Sequence, residues 1–165
     1  MCVAVLDLGT NTFNLVIAGE TEDKQPQIIY NTKLPVKLGE GGINKGYIAP
    51  EAFTRGILAI EKHFSTIQSH RVKKILAFGT SAIRTAQNGD AFLKRIKAIT
   101  GIDVEIISGE REAELIYYGV RQTYSMNSGK YLILDIGGGS NELIIADQQQ
   151  IFWKKIVHPW VVQIK

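Results

Sequence analysis

Cys2 is the only cysteine in the 165 residues, so no intrachain disulfide can form. Histidine is scarce too. His63, His70 and His158 lie too far apart in sequence to suggest a metal box, and scattered packing or surface roles are expected of them. No apolar run reaches the ~18 residues that a membrane helix needs. The start, MCVAVLDLG, lacks a basic segment and carries Asp7, so it does not read as a signal peptide. Charge of one sign is not concentrated anywhere. The formal charge is +3, from 19 basic and 16 acidic residues, and Lys and Arg are scattered. The densest group, Arg71, Lys73 and Lys74, reads as an exposed turn before a strand, whereas a nucleic-acid binder gathers its charge on one element. Disulfide scaffolds and membrane spans are thus excluded, and no nucleic-acid partner is expected. A reducing cytoplasm is the expected location, and the mild basic excess suits an anionic ligand.

What the chain does have is hydrophobic patterning, with 45% apolar residues. Residues 3–8 form a short apolar run ending in Gly9, read as a buried strand. Residues 13–18 and 27–32 are two more, and short connections make the three an antiparallel meander. Residues 37–46, KLGEGGINKG, form a glycine-rich loop. Pro50 then suits a first helical position, and Phe53, Ile57, Ile60, Phe64 and Ile67 mark one face of an amphipathic helix. Residues 75–78 read as a strand and Phe92, Leu93, Ile96 and Ile99 as a helical stripe ending at Gly101. Residues 104–107 read as a strand, and Ser108 caps a helix running to about Thr123. The order β-β-β-α-β-α-β-α predicts an α/β lobe with parallel strands added to the meander. That order resembles the ribonuclease H-like fold of actin, sugar kinases and heat-shock chaperones.

After a polar linker at residues 125–130 the pattern restarts, with strands at 131–134, 142–146 and 151–157. VAVLDLGTNTFNLVIA and YLILDIGGGSNELIIA align without a gap, pairing Asp7 with Asp135, Gly9 with Gly137 and Ala18 with Ala146. Downstream, residues 27–30 (QIIY) resemble residues 150–153 (QIFW). This is an internal repeat. It predicts a first lobe over residues 1–125 and the opening meander of a second, similar lobe over 126–165.

A strand ending in Asp-x-Gly before small polar residues makes a tight hairpin with outward N–H groups. Gly137, Gly138 and Gly139 have no Cβ to block a phosphate, and successive N–H groups form an anion-binding concavity. Ser140, Thr10 and Thr12 add hydroxyl donors. Asp7 and Asp135 would repel phosphate directly, and make more sense holding Mg²⁺ or orienting water. On the helix after Ser108, Glu110 and Glu114 share a face and suit the helix dipole. Glu112 aligns with Leu115, Ile116, Gly119 and Val120, the expected apolar stripe, so its carboxylate starts on the inward side. It could take a proton from an attacking water there. Arg84 follows a strand end, where α/β sheets place ligand contacts, and its fork matches phosphate; a solvated loop arginine is the other reading. Lys37 and Lys45 flank the glycine loop and could extend a basic lining.

DLGTNTFNLVIA, GTSAIR, ISGEREAELIYYGV and DIGGGSNELIIA stand in an order similar to that of the exopolyphosphatase and guanosine pentaphosphate phosphohydrolase family. The resemblance runs to about Val157 and covers the N-terminal part of such proteins. It implies a two-lobed, actin-like ATPase fold and hydrolysis of terminal phosphoanhydrides of polyphosphate or guanosine pentaphosphate, with Mg²⁺. By it Glu112 activates water, Asp135 and Glu142 bind metal, and Gly137, Gly138, Gly139, Ser140, Asn11 and Arg84 hold phosphate. Asn141 stands where Thr is usual in the family, and Asn14 where His is common. The family continues beyond this point with further strands and helices, so residues 126–165 read as a truncated second lobe whose uncovered strands would pack on the first lobe or on another copy. An ATP-dependent sugar or acetate kinase and a non-catalytic phosphate-binding module remain alternatives. The SGEREAEL helix argues against the kinase.

Overall fold

A computed structural model describes residues 2–158; the remainder of the expected second lobe, residues 159–165, lies outside the described residues. By contact the chain divides into two compact units, Met1–Ile106 and Ile107–Lys165. The division falls ahead of the helix that follows Ser108, and not after residue 125 as the sequence reading places it.

Unit 1 contains β1 (Val3–Leu8), β2 (Thr12–Glu20), β3 (Pro26–Pro35), α1 (Pro50–Ser69), β4 (Lys74–Gly79), a short α2 (Ser81–Thr85), α3 (Gly89–Thr100) and β5 (Glu105–Ile106). Its sheet has the order β3-β2-β1-β4-β5. β1, β2 and β3 are antiparallel neighbours, while β4 runs parallel to β1 and β5 parallel to β4. This is the mixed sheet expected of a ribonuclease H-like lobe, with α2 as an addition to the expected order. Strict alternation sends Ala4, Leu6, Leu8, Phe13, Leu15 and Ile17 to one face, where all are fully buried. α1 and α3 belong to the same core through Ile57, Ile60, Ile67, Phe92 and Ile96. Phe92 packs edge-on against Phe53, with ring centroids 4.9 Å apart. Pro50 opens α1 and Gly101 closes α3 in the left-handed conformation, both as the sequence expects.

Unit 2 contains α4 (Gly109–Thr123), β6 (Tyr131–Ile136), β7 (Asn141–Ala146) and β8 (Ile151–Val157). The strands form an antiparallel sheet ordered β6-β7-β8. One face, carrying Ile133, Ile144 and Ala146, packs with Ala113 and Tyr117 of α4. The buried stripe of α4 therefore centres on Ala113 and Tyr117, with Ile116 and Val120 beside it, while Gly119 is exposed. Tyr117 can join that core because its hydroxyl donates to the Asp147 carbonyl at 3.1 Å. The sequence expectation of a meander without any covering helix is corrected here: α4 covers one face.

The internal repeat holds at the level of register. β1 pairs with β2 from Val3↔Ala18 to Leu8↔Phe13, and β6 with β7 from Tyr131↔Ala146 to Ile136↔Asn141, each partner shifted by 128 positions. The bulge repeats as well. Ladder register shifts between Ile17 and Ala18 in unit 1 and between Ile145 and Ala146 in unit 2. Ile29 and Phe152 are the residues left over, one in each third strand.

Candidate functional site

The first hairpin turns at residues 9–11, between β1 and β2. Its closing bond runs from Gly9 N–H to the Thr12 carbonyl at 3.1 Å. Leu8 pairs with Phe13 on one side and with Gly79, the last residue of β4, on the other. The β1–β2 turn and the β4–α2 turn thus lie at one edge of the sheet, beyond the carboxyl ends of two adjacent parallel strands. Asn11 and Thr12 belong to the first turn, and Arg84 lies in α2, whose N-terminal residues follow the second. Asn11 is exposed, while Thr12 and Arg84 are half-buried. The Asn11 carbonyl accepts from the N–H groups of Val36 and Lys37, both at 2.9 Å, and so ties the hairpin to the glycine-rich loop. Asp7 is set back inside β1, half-buried, and its Oδ2 accepts from Asn14 Nδ2 at 2.9 Å across the strand pair. Asn14 thus orients the Asp7 carboxylate.

Two anchors of this edge escape a sequence reading. Arg55 of α1 donates to the carbonyls of Val36 and Lys37 and pairs with Glu40 at 2.7 Å, pinning the start of the loop. Asn88 holds Ile48 by two bonds, accepting from its N–H at 2.8 Å and donating to its carbonyl at 2.9 Å. Both partners are backbone groups distant in sequence, so no local motif announces them.

In unit 2 the second hairpin repeats the first. Gly137 N–H donates to the Ser140 carbonyl at 3.0 Å. A Cβ at Gly137 would stand 2.7 Å from that oxygen, a clash with backbone that only glycine avoids. Gly137 is exposed, Gly138 and Gly139 are half-buried and Ser140 is buried. Beside the hairpin, Asp135 and Glu142 are direct cross-strand partners. Both lie on the sheet face that α4 covers, in register with Ile133 and Ile144. Glu142 is 1% exposed and Asp135 is open to solvent. Like charges opposed at a pair position repel, so a cation between them would be favoured. Among the described residues no three His, Cys, Asp or Glu side chains cluster for a metal. Two carboxylates fit Mg²⁺ nevertheless, because that ion keeps several waters and takes phosphate oxygens for the rest.

The helix bearing Glu112 begins at the same end of this sheet. Ser108 Oγ accepts from Arg111 N–H at 3.1 Å, the cap expected from sequence. Gly109 lies against Ile156, whose cross-strand partner is Glu142. Its lack of a side chain lets the first turn of α4 come close to β8. Glu112 is half-buried on that first turn, flanking the buried Ala113. Glu114, two residues further, is held by Lys154 at 2.8 Å and Arg111 at 3.1 Å, and these partners keep its pKa below the usual carboxylate value. Unit 2 therefore gathers Glu112, Asp135, Glu142, Gly137, Gly138, Gly139 and Ser140 at one end of one sheet. Asp7, Asn11, Thr12 and Arg84 gather at the corresponding edge of unit 1.

This arrangement, one hairpin twice with carboxylates behind the turn, has close counterparts among known proteins. The Ppx/GppA phosphatase family matches residues 16–155. A guanosine-5'-triphosphate,3'-diphosphate pyrophosphatase of Photobacterium profundum is 38% identical over 144 residues, which cover 87% of this chain and 29% of that protein. Exopolyphosphatase 1 of Mycobacterium tuberculosis is 33% identical over 143 residues, 87% of this chain and 42% of that one. The crystal structure of an exopolyphosphatase from Cytophaga hutchinsonii superposes with a TM-score of 0.93 at 42% identity, over 96% of this chain and 50% of the other. The chain spans half or less of the length of these relatives. With that family's match spanning residues 16–155, which include α4 and the whole second hairpin, the chain belongs to the Ppx/GppA phosphatase family.

Proposed function

We propose that this chain carries the phosphate-gripping and water-activating elements of a phosphohydrolase acting on the terminal phosphate of inorganic polyphosphate or guanosine pentaphosphate. The observation that carries the reading is the cross-strand pair of Asp135 with the buried Glu142, set beside a glycine hairpin and the first turn of α4. The backbone N–H groups of Gly138 and Gly139 and the Ser140 hydroxyl would bind phosphate oxygens, with Gly137, whose own N–H closes the turn, leaving room for their approach. Within unit 1, Asn11, Thr12 and Arg84 are the candidates for phosphate contact. Mg²⁺ held in unit 2 by Asp135 and Glu142 would neutralise phosphate charge; in unit 1, Asp7 is the metal candidate.

In the reaction, a water oxygen attacks the terminal phosphorus and the water's proton passes to the Glu112 carboxylate. The anhydride P–O bond breaks, and its electron pair leaves with the shortened phosphate chain. Positioning and charge neutralisation supply most of the rate, as in other phosphoryl transfers.

The test is phosphate release from polyphosphate and from guanosine pentaphosphate, with and without chelator. Glu112→Gln should lower release by about 10²–10⁴-fold while binding persists. Equal release by both proteins would refute the assigned role of Glu112. Binding of polyphosphate without release by either would favour the phosphate-binding module.

A further inference from the structure

At the end of unit 2's sheet away from the glycine hairpin there is a second place where a ligand fits. β7 leaves the hairpin at Asn141 and ends at Ala146, roughly 17 Å away at about 3.3 Å per residue. A turn follows, in which Asp147 Oδ1 accepts from the N–H groups of Gln149 and Gln150 at 2.7 and 2.9 Å. These backbone bonds hold the Asp147 carboxyl below its usual pKa. Between this turn, the start of β8 and one face of α4 lies an open groove of about 650 Å³, within the range of small-molecule sites.

The groove combines flat apolar rings with one uncommitted cation. Tyr117 forms part of its wall, fixed by its hydroxyl bond to the Asp147 carbonyl. Tyr118 and Phe152 are 45% and 44% exposed; Arg121 lies over the Tyr118 ring and Lys130 Nζ stands 4.6 Å from the Phe152 centroid, so a ligand meets the ring surface those cations leave. Glu114 and Lys154 neutralise each other at the groove's edge. Arg121 is different. Its guanidinium carbon lies 5.4 Å from the centroids of both Tyr117 and Tyr118. Among the described residues it makes no hydrogen bond or ion pair. Ring contact steadies the flat group and leaves its in-plane N–H donors for an anion. Rings alone would suit any apolar molecule, and an arginine alone any anion. Together, and with the Gln149 and Gln150 amides at the mouth offering paired donors and acceptors, they match a base joined to a phosphate.

We propose that this groove binds a nucleotide, with the base against Tyr118 and Phe152 and the phosphate on Arg121. Base stacking on aromatic rings and bidentate pairing of arginine with phosphate are the two contributions. The site is separate from the glycine hairpin and does not depend on the phosphohydrolase reading.

The experiment is a titration of the ¹⁵N-labelled chain, followed by NMR, with AMP and GMP. Ribose 5-phosphate and adenosine serve as the ring-less and phosphate-less arms. Saturable shifts are expected in the signals of Tyr118, Arg121, Gln149 and Gln150. Each stripped compound should bind about ten-fold more weakly, and Arg121→Gln should weaken the nucleotides about ten-fold without altering the rest of the spectrum. Inorganic triphosphate should shift residues 137–140 and leave the groove signals in place. The proposal is overturned if ribose 5-phosphate matches AMP, if Arg121→Gln binds as tightly as the parent, or if nucleotide at ~10 mM moves only residues 137–140.

Discussion

His63 is 1% exposed on α1, and its Nε2–H donates to the Phe13 carbonyl at 3.1 Å. Its Nδ1 is buried without a hydrogen-bond partner among the described residues. Burial lowers its pKa from 6.5; the Phe13 bond pulls the other way and Lys62 adds a smaller lowering. The ring is thus neutral in the fold and easier to protonate once unfolded. The unfolded chain binds the extra proton first, so stability rises with pH here. It is complete above about pH 6.5 and is lost as pH falls below that value. Thermal melts between pH 8 and 5 should show the melting temperature dropping on the acid side. His63→Gln, which keeps a donor for Phe13 and does not titrate, should flatten that dependence. An unchanged slope would refute the role. The effect reaches the candidate site because Phe13 directly follows Thr12 at the turn of the first hairpin.

At the scale of elements, the two hairpins make the same demand of one glycine each. A Cβ at Gly9 would stand 3.0 Å from the Thr12 carbonyl oxygen, and one at Gly137 2.7 Å from that of Ser140. Backbone cannot swing aside as a flexible side chain can, so Gly137→Ala must open the turn. We expect a loss of about 1–3 kcal/mol, measured by denaturant unfolding with an unchanged slope, together with weaker polyphosphate binding. Tight binding by a destabilised Gly137→Ala would show that the turn's shape does not matter to phosphate. The repeated bulge acts on the same elements. It adds Ile29 and Phe152 as extra residues in β3 and β8, and in β8 it brings Phe152 to the groove beside α4.

Across the whole molecule, the two sheets differ most in what covers them. Ala4, Leu6 and Leu8 are all 0% exposed in unit 1, whose core α1 and α3 complete. Their repeat equivalents, Leu132, Leu134 and Ile136, are 60%, 56% and 79% exposed. α4 lies on the other face of that sheet, so the equivalent face in unit 2 is bare among the described residues. Apolar patches of this kind find partners. The chain is expected to self-associate through this face. Sedimentation at high protein concentration should show dimers, and Ile136→Lys should return the monomer. A parent chain that sediments as a monomer throughout would count against it. No helix among the described residues is long and apolar enough to cross a membrane.

Much of this was legible in the residues themselves. Short apolar runs predict β1, β2, β6 and β7, and helical spacing predicts α1 and α3. The gapless match of residues 3–18 with 131–146 anticipates identical strand registers, because a one-residue slip would turn every apolar side chain to the wrong face. The Asp-x-Gly turns were visible for the same reason, as local patterns with local consequences; Glu112 was only approximately so, because the buried stripe of α4 centres on Ala113 and Tyr117 and leaves Glu112 at its border. What the sequence left open depends on partners distant along the chain. The pinning of the glycine-rich loop by Arg55 and Asn88 is tertiary, since its bonds end on remote backbone groups. So is the burial of Tyr117, which needs the Asp147 carbonyl thirty residues away. The place of α4 was decided in the same way. Its sequence shows an amphipathic helix after Ser108, but only packing against β7 and β8 assigns it to the second unit and sets Glu112 at the end of the sheet that carries Asp135 and Glu142.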